Sequence, residues 1–172
     1  AALGLMRARG ITVDDIASVT VSTFAAATRL ATMRPADGDQ AQYSLPLCLA
    51  VAILEGTILP AHILPEAFDI PEVWGLVDRI TLTEDPELTA IFPAQRLAVV
   101  TIDTHDGRRL TSGPTDARGN FDAPLGDDEL LAKCAAYVAE VLPTESAATL
   151  AALVRGPHPT PAELIAALNR RT

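Results

Sequence analysis

Lysine is almost absent from this chain: Lys133 is the single lysine among thirteen cationic side chains, against twenty-two acidic ones. The net charge of −9 argues against a nucleic-acid binder, which would show a basic face. It does not exclude an anionic small substrate, since a pocket needs only a few local arginines. Histidine and cysteine are scarce, at three and two. No Cys-x-x-Cys or His-x-x-x-His spacing occurs, so neither a metal site nor a disulfide framework is supported. Cys48 and Cys134 lie inside apolar helical patterns and read as buried small hydrophobes. There is no Gly-x-Ser-x-Gly, no P-loop and no dinucleotide glycine pattern. The longest apolar run is ten residues, Leu45 to Leu54, whereas a bilayer span needs about 20. No membrane span or signal peptide is visible, and a cytoplasmic location is the expectation. The chain opens without Met on Ala-Ala-Leu-Gly-Leu-Met-Arg-Ala-Arg-Gly, which reads as the last turns of a helix ending at Gly10. The expectation is a piece of a longer protein.

What is present is a core. Hydrophobic residues make up 49% of 172, enough for a folded domain of ordinary size. The chain is organised around Gln40–Gly56. Ser44 stands where an N-cap would, Pro46 lies in the first turn, and Gly56 supplies the left-handed exit. A helix apolar on every side must be wrapped on every side. Its polar mouth, Gln40 to Ser44, coincides with the positive helix pole and the first backbone N–H groups, an arrangement that suits an anion.

The rest reads in order. Ile16 to Phe24 is a strand, Ala25 to Met33 a short alanine-rich helix, and Pro35 to Asp39 a loop. Short helices are expected at Pro60–Ala67 and Pro71–Val77, with Trp74, the only tryptophan, as a core anchor. Arg79 to Glu84 alternates as a strand, Asp85 to Pro93 is a loop, and Arg96 to Thr104 is the strongest strand. Asp106-Gly107 predicts a hairpin into Arg109–Ser112, with both turn residues at positive φ. Gly113 to Gly126 is loop. A helix runs from Asp127 to Leu142, its acidic first turn suiting the dipole. Thr144 caps a helix to Arg155, and Thr160-Pro-Ala-Glu is a capping box for the last helix. This order predicts an α+β fold: a small antiparallel sheet of about four strands, helices on one side around the central apolar helix, then C-terminal helices.

Ala41-Gln-Tyr-Ser-Leu-Pro46, followed by an apolar helix ending Glu55-Gly56, resembles the signature of the second, smaller domain of the MmgE/PrpD (2-methylcitrate dehydratase) family. The usual form there is close to Ala-(Lys/Gln)-Phe-Ser-Leu-Pro-Tyr. Tyr43 stands for the phenylalanine and Leu47 for the tyrosine, so a phenol expected near the pocket has become an alkyl group. Further on, Val100-x-Ile-x-Thr-x-Asp-Gly107, a glycine loop with Pro124-Leu125, and Asp127-Asp-Glu-Leu-Leu-Ala-Lys-Cys134 are similar to the family in order and spacing. The family's Leu-x-x-Lys-Phe ends here in Cys134. The resemblance covers residues 1 to about 142 and divides the chain into a 1–142 small domain and 143–172 helices that would pack on a large helical domain.

The resemblance implies a lyase acting on small di- and tricarboxylic acids, without metal or organic cofactor, as a homodimer. 2-Methylcitrate dehydratase is the leading reading; cis-aconitate decarboxylase and iminodisuccinate epimerase remain open, as does a non-catalytic interaction domain. In the family the catalytic Asp, Lys and His belong to the large domain and to a segment preceding this one. This chain would therefore supply a wall of the pocket rather than its acid–base groups. His62, His105 and His158 lie in separate loop settings and do not read as a general base. Asp127-Asp-Glu129 reads as a solvated helix start. The substrate-binding candidates are Gln42, Tyr43 and Ser44, through hydrogen bonds to a carboxylate, with capping and packing as the competing role. Arg34 is a further candidate, and Arg118 a weaker one.

Overall fold

The computed structural model describes residues 1–64, 70–139, 141–156 and 158–169. The chain divides into two compact units, residues 1–117 and 118–172. In the first, α1 (Ala2–Arg9) ends on Gly10 at φ 61°, the left-handed cap its glycine predicts. Then follow β1 (Ile16–Thr23), α2 (Ala25–Thr28), α3 (Gly38–Gln42), α4 (Leu45–Glu55), a 3₁₀ turn at Pro60–Ile63, and α5 (Pro71–Val77). β2 (Ile80–Glu84), α6 (Pro86–Ile91), β3 (Ala98–Thr104) and β4 (Arg109–Thr111) complete it. The expected helix at Pro60–Ala67 is described only as far as Leu64; its remainder lies outside the described residues.

The four strands form one sheet in the order β2-β1-β3-β4. β1–β3 and β3–β4 are antiparallel, as expected, but β1 and β2 run parallel. The cause is the connection. α2 to α5 lie between β1 and β2, and a helical crossover returns the chain to the end from which β1 started. The sheet has two unlike faces. Val19, Val21, Ile80, Val100 and Ile102 are buried on one, packed with α1, α4 and α5. The other carries hydroxyls in pairs, Ser22 with Thr83 at 3.0 Å and Thr101 with Thr111 at 3.1 Å.

α4 begins at Ser44 and ends on Gly56 at φ 75°. Pro46, Leu47, Ala50, Val51 and Ile53 are buried. Leu45, Cys48, Leu49 and Ala52 form a second stripe at helical spacing and are only half-buried. The helix is therefore wrapped on one side among the described residues, not on all. Leu47 is 1% exposed and belongs to the core. Its replacement of a phenol thus alters packing rather than the lining of a pocket.

Three local readings are corrected. The Ala25–Met33 helix stops at Thr28, because the Leu30 carbonyl leaves the helical path to accept from Leu45 N–H at 2.9 Å. Asp85–Pro93 is mostly helix, not loop: Asp85 caps α6 by accepting from the N–H groups of Glu87 and Leu88 at 2.9 and 3.2 Å, and Pro86 occupies the first turn. In the β3–β4 turn only Gly107 has positive φ, 87°. Thr104 N–H donates to Arg108 at 2.9 Å and Gly107 N–H to Thr104 at 3.0 Å, enclosing a three-residue loop with glycine at the bulge.

In the second unit, α7 (Asp127–Val138) is followed by α8 (Thr144–Arg155) and α9 (Pro161–Leu168). α7 ends at Val138, short of the expected Leu142. Thr144 is the first helical residue of α8 rather than its cap, which is Pro143. The Thr160 box forms: its hydroxyl accepts from Glu163 N–H at 3.3 Å and Glu163 accepts from Thr160 N–H at 2.8 Å. Leu130, Tyr137, Ile165 and Leu168 stay exposed. Cys134 is exposed and Cys48 half-buried, so neither thiol is sealed in the core as its apolar neighbours suggest.

Two outcomes follow for stability. Leu47→Ala should cost about 2–5 kcal/mol, and Leu47→Tyr about 1–3 kcal/mol through overpacking, both read from urea unfolding. Asp103 is held below the usual carboxylate range by its hydrogen bonds to Arg109, and Asp106 by the Thr104 hydroxyl. A carboxylate lowered in the folded state stabilises above its unfolded pKa, near 4 for Asp. That contribution is lost as pH falls through the lowered value. Unfolding followed below neutral pH should show a stability slope that Asp103→Asn makes shallower.

Candidate functional site

The mouth of α4 is built by three consecutive pieces: the loop 29–37, α3, and the two residues Tyr43 and Ser44. Asp37 starts α3 by accepting from Gln40 N–H at 2.8 Å. Gln40 Oε1 accepts from Ala36 N–H at 3.2 Å, which closes the loop onto α3. Gly38 permits a close approach, since a Cβ there would meet the Ile63 carbonyl at 3.1 Å. Ala41 is fully buried beneath the turn.

Ser44 is fully buried and its hydroxyl works in both directions. It donates to the Thr32 carbonyl and accepts from Leu47 N–H at 3.2 Å. Leu45 N–H donates to Leu30 at 2.9 Å, Pro46 has no N–H, and Cys48 N–H donates to the Ser44 carbonyl at 3.0 Å. Every donor that the sequence leaves open for an anion at this helix start is thereby used within the chain. The helix pole remains, but it presents no backbone N–H of the first turn to a ligand. Three side chains remain for that purpose.

Tyr43 is 67% exposed, immediately before the cap. Gln42 is exposed and its Nε2 donates to the Gly38 carbonyl at 3.4 Å. Arg34 lies in the loop that Ser44 anchors. Its Nη2 donates to both carboxylate oxygens of Asp78 at 2.7 and 2.8 Å, and its guanidinium stacks 4.8 Å from the centre of the Trp74 ring. The contact with the ring face and the paired hydrogen bonds together give the guanidinium a defined direction, which a lysine would not have. The chain thus brings Gln42, Tyr43 and Ser44 together by sequence, with Ser44 turned inward and the other two outward. Arg34 joins the same assembly through its loop.

Asp78 and Trp74, which fix Arg34, escape sequence reasoning. No spacing rule links residue 34 to residues 74 and 78; only packing of the loop against α5 does. Arg118 is paired with Glu129 at 2.6 Å in the second unit. Each histidine has its own local setting: His62 Nδ1 accepts from Leu59 N–H at 3.1 Å, His105 is exposed in the β3–β4 turn, and His158 is exposed at φ 61°. Among the described residues no three His, Cys, Asp or Glu side chains are placed to hold a metal ion. No described helix is long and apolar enough to cross a membrane.

The second unit carries a cavity of about 250 Å³ between α7 and α8. Leu130, Leu131, Leu150 and Val154 make its walls, and Arg155 is paired with Asp127 at 2.7 Å on its rim. Its lining is apolar, and it offers no uncommitted cation to a carboxylate.

The division of labour at the mouth is testable. Ser44→Ala removes a cap and leaves the Thr32 carbonyl without its donor, so it should cost about 1–2 kcal/mol in thermal or urea unfolding. Tyr43→Phe, at an exposed position, should stay within about 0.5 kcal/mol.

No curated protein matches this chain. The family model of the MmgE/PrpD C-terminal domain matches residues 1–156. That span takes in the whole α4 assembly, the sheet, α7 and α8, and by it the chain belongs to the MmgE/PrpD family, as a C-terminal domain of that family.

Proposed function

We propose that this chain is the substrate-facing C-terminal part of a cofactor-independent lyase of small di- and tricarboxylic acids, of the 2-methylcitrate dehydratase type. The observation that carries the reading is the family match across residues 1–156. In this reading the mouth of α4 forms one wall of a site that a large helical domain completes, within a cytoplasmic homodimer.

The residues take distinct roles. Arg34 faces a substrate carboxylate. Its hydrogen bonds to Asp78 run through Nη2, so Nε and Nη1 are the nitrogens assigned to the substrate. The Gln42 amide and the Tyr43 phenol add hydrogen bonds, and both side chains are exposed at the mouth. Ser44 positions them by holding the loop and the helix start together. None of these groups is a base at neutral pH. Removal of water from a hydroxy acid needs a proton taken from the carbon beside one carboxylate and a proton delivered to the departing hydroxyl. Both transfers are assigned to the large domain. Alone, the chain binds weakly and does not turn over substrate. The exposed apolar side chains on α7, α8 and α9 support a partner domain, since such patches mark interaction surfaces.

The test is to join or co-express the chain with a large helical domain of the family and to supply 2-methylcitrate, aconitate and iminodisuccinate separately. Dehydration of 2-methylcitrate, seen as ultraviolet absorbance of the unsaturated product, is expected only when both domains are present. Arg34→Ala should then raise KM roughly tenfold to a hundredfold, the size of a lost charged hydrogen bond, with a smaller change in kcat. Turnover of iminodisuccinate or of aconitate alone would redirect the substrate assignment. Absence of turnover with all three acids in a folded two-domain protein would overturn the proposal.

A further inference from the structure

A guanidinium grips a carboxylate through two parallel N–H groups, and it has two such forks: Nε with Nη2 along its side, and Nη1 with Nη2 at its end. Nη2 belongs to both. In this chain Nη2 is the nitrogen already taken, since it donates to Oδ1 and Oδ2 of Asp78 at 2.7 and 2.8 Å. As held, Arg34 offers an incoming carboxylate single hydrogen bonds from Nε or Nη1. A paired grip requires Nη2 to leave Asp78.

The pair is placed so that this exchange costs little. Both side chains are more than half exposed, Arg34 at 52% and Asp78 at 58%, and exposed ion pairs are weak. Asp78 closes α5, its N–H donating to the Trp74 carbonyl at 3.0 Å. A carboxylate at that end of a helix faces the negative pole and does not stabilise α5 itself. Trp74 stands four residues earlier, on the same helix face. The Arg34 guanidinium lies over its ring, 4.8 Å from the centre. Attraction to a ring face does not depend on which nitrogens are hydrogen-bonded. Trp74 therefore keeps the cation at the mouth when Asp78 is given up.

We propose, resting on the assignment of Arg34 to a substrate carboxylate, that Asp78 is an internal competitor for that carboxylate. It holds the fork of Arg34 until a ligand carboxylate with two free oxygens takes its place, while the guanidinium stays on Trp74. Asp78 thereby sets the ligand concentration at which the mouth fills. Apparent affinity is the affinity of the open fork reduced by the fraction of chains in which the fork is open. Asp78 lowers that fraction. A residue that only oriented Arg34 would act with the opposite sign, because its loss would leave the guanidinium undirected and weaken binding.

The test is a citrate titration of the full 172-residue chain followed by tryptophan fluorescence, which reads Trp74 alone because the chain has one tryptophan. The native signal should change and saturate. Asp78→Asn should lower the citrate Kd about twofold to sixfold, the factor by which a weak exposed pair keeps the fork closed. Loss of a negative charge favours any anion, so the same substitution is repeated in the Arg34→Lys background. An ammonium has no fork, and the gain there should be smaller. Arg34→Ala should abolish the response. Both positions are exposed, and thermal unfolding verifies that each variant folds. Three results overturn the inference: a native chain with no citrate response, an Asp78→Asn variant that binds no tighter, or an equal gain in the arginine and lysine backgrounds. If Arg34→Ala binds citrate as the native chain does, the assignment of Arg34 to the substrate falls as well. If Arg34→Ala loses binding while Asp78→Asn gains nothing, that assignment stands and the internal competition alone is overturned.

Discussion

The buried hydroxyl of Ser44 is the constraint on which the first unit depends. A polar group with no exposed surface must be satisfied inside the protein. Here it is satisfied twice, as donor to the Thr32 carbonyl and as acceptor from Leu47 N–H. One atom therefore fixes both the start of α4 and the path of the loop before it. Leu45 N–H, donating to Leu30, repeats the tie one residue on. The loop so held carries Arg34 to α5, where the face of Trp74 and the carboxylate of Asp78 take it. Core helix, loop and α5 thus form one assembly, and the direction of an exposed cation is set by a buried serine.

That arrangement separates positioning from chemistry. The helix pole usually attracts anions through its free N–H groups. In this chain those groups are used, and the polar side chains left at the rim are the Gln42 amide, the Tyr43 phenol and the Arg34 guanidinium. The exposed Arg34–Asp78 pair adds little stability on its own. Its consequence is geometric, because stacking and two hydrogen bonds orient the guanidinium.

Much of the architecture was legible in local chemistry. Gly10 and Gly56 announce left-handed helix ends, Pro46 a first turn, and Thr160-Pro-Ala-Glu a capping box, and each appears where read. Alternation exposed β1, β2 and β3 because one face of each meets the core. The misreadings share a cause. Asp85-Pro86-Glu87 is itself a helix start, a cap followed by proline and an acid, but it was masked by the surrounding loop-like composition. The Ala25–Met33 stretch has helical composition and still leaves the helix after Thr28, because a distant N–H, that of Leu45, needs its carbonyl. Apolar spacing on α7 predicted burial of Cys134, yet periodicity identifies an apolar face without saying whether anything covers it.

The sequence by itself determined the class of fold, the central helix with both its ends, the hairpin and the family signature, because each rests on residues close together in the chain. Tertiary structure alone decided the parallel pairing of β1 and β2, which depends on where a helical crossover delivers the strand. It decided that Leu47 is core and Tyr43 is surface, although they are four residues apart and flank the same cap. It also decided that Arg34 stands on Trp74 beside Asp78. These are distances between remote parts of the chain, and no local pattern encodes them until the loop is pinned by the serine beneath it.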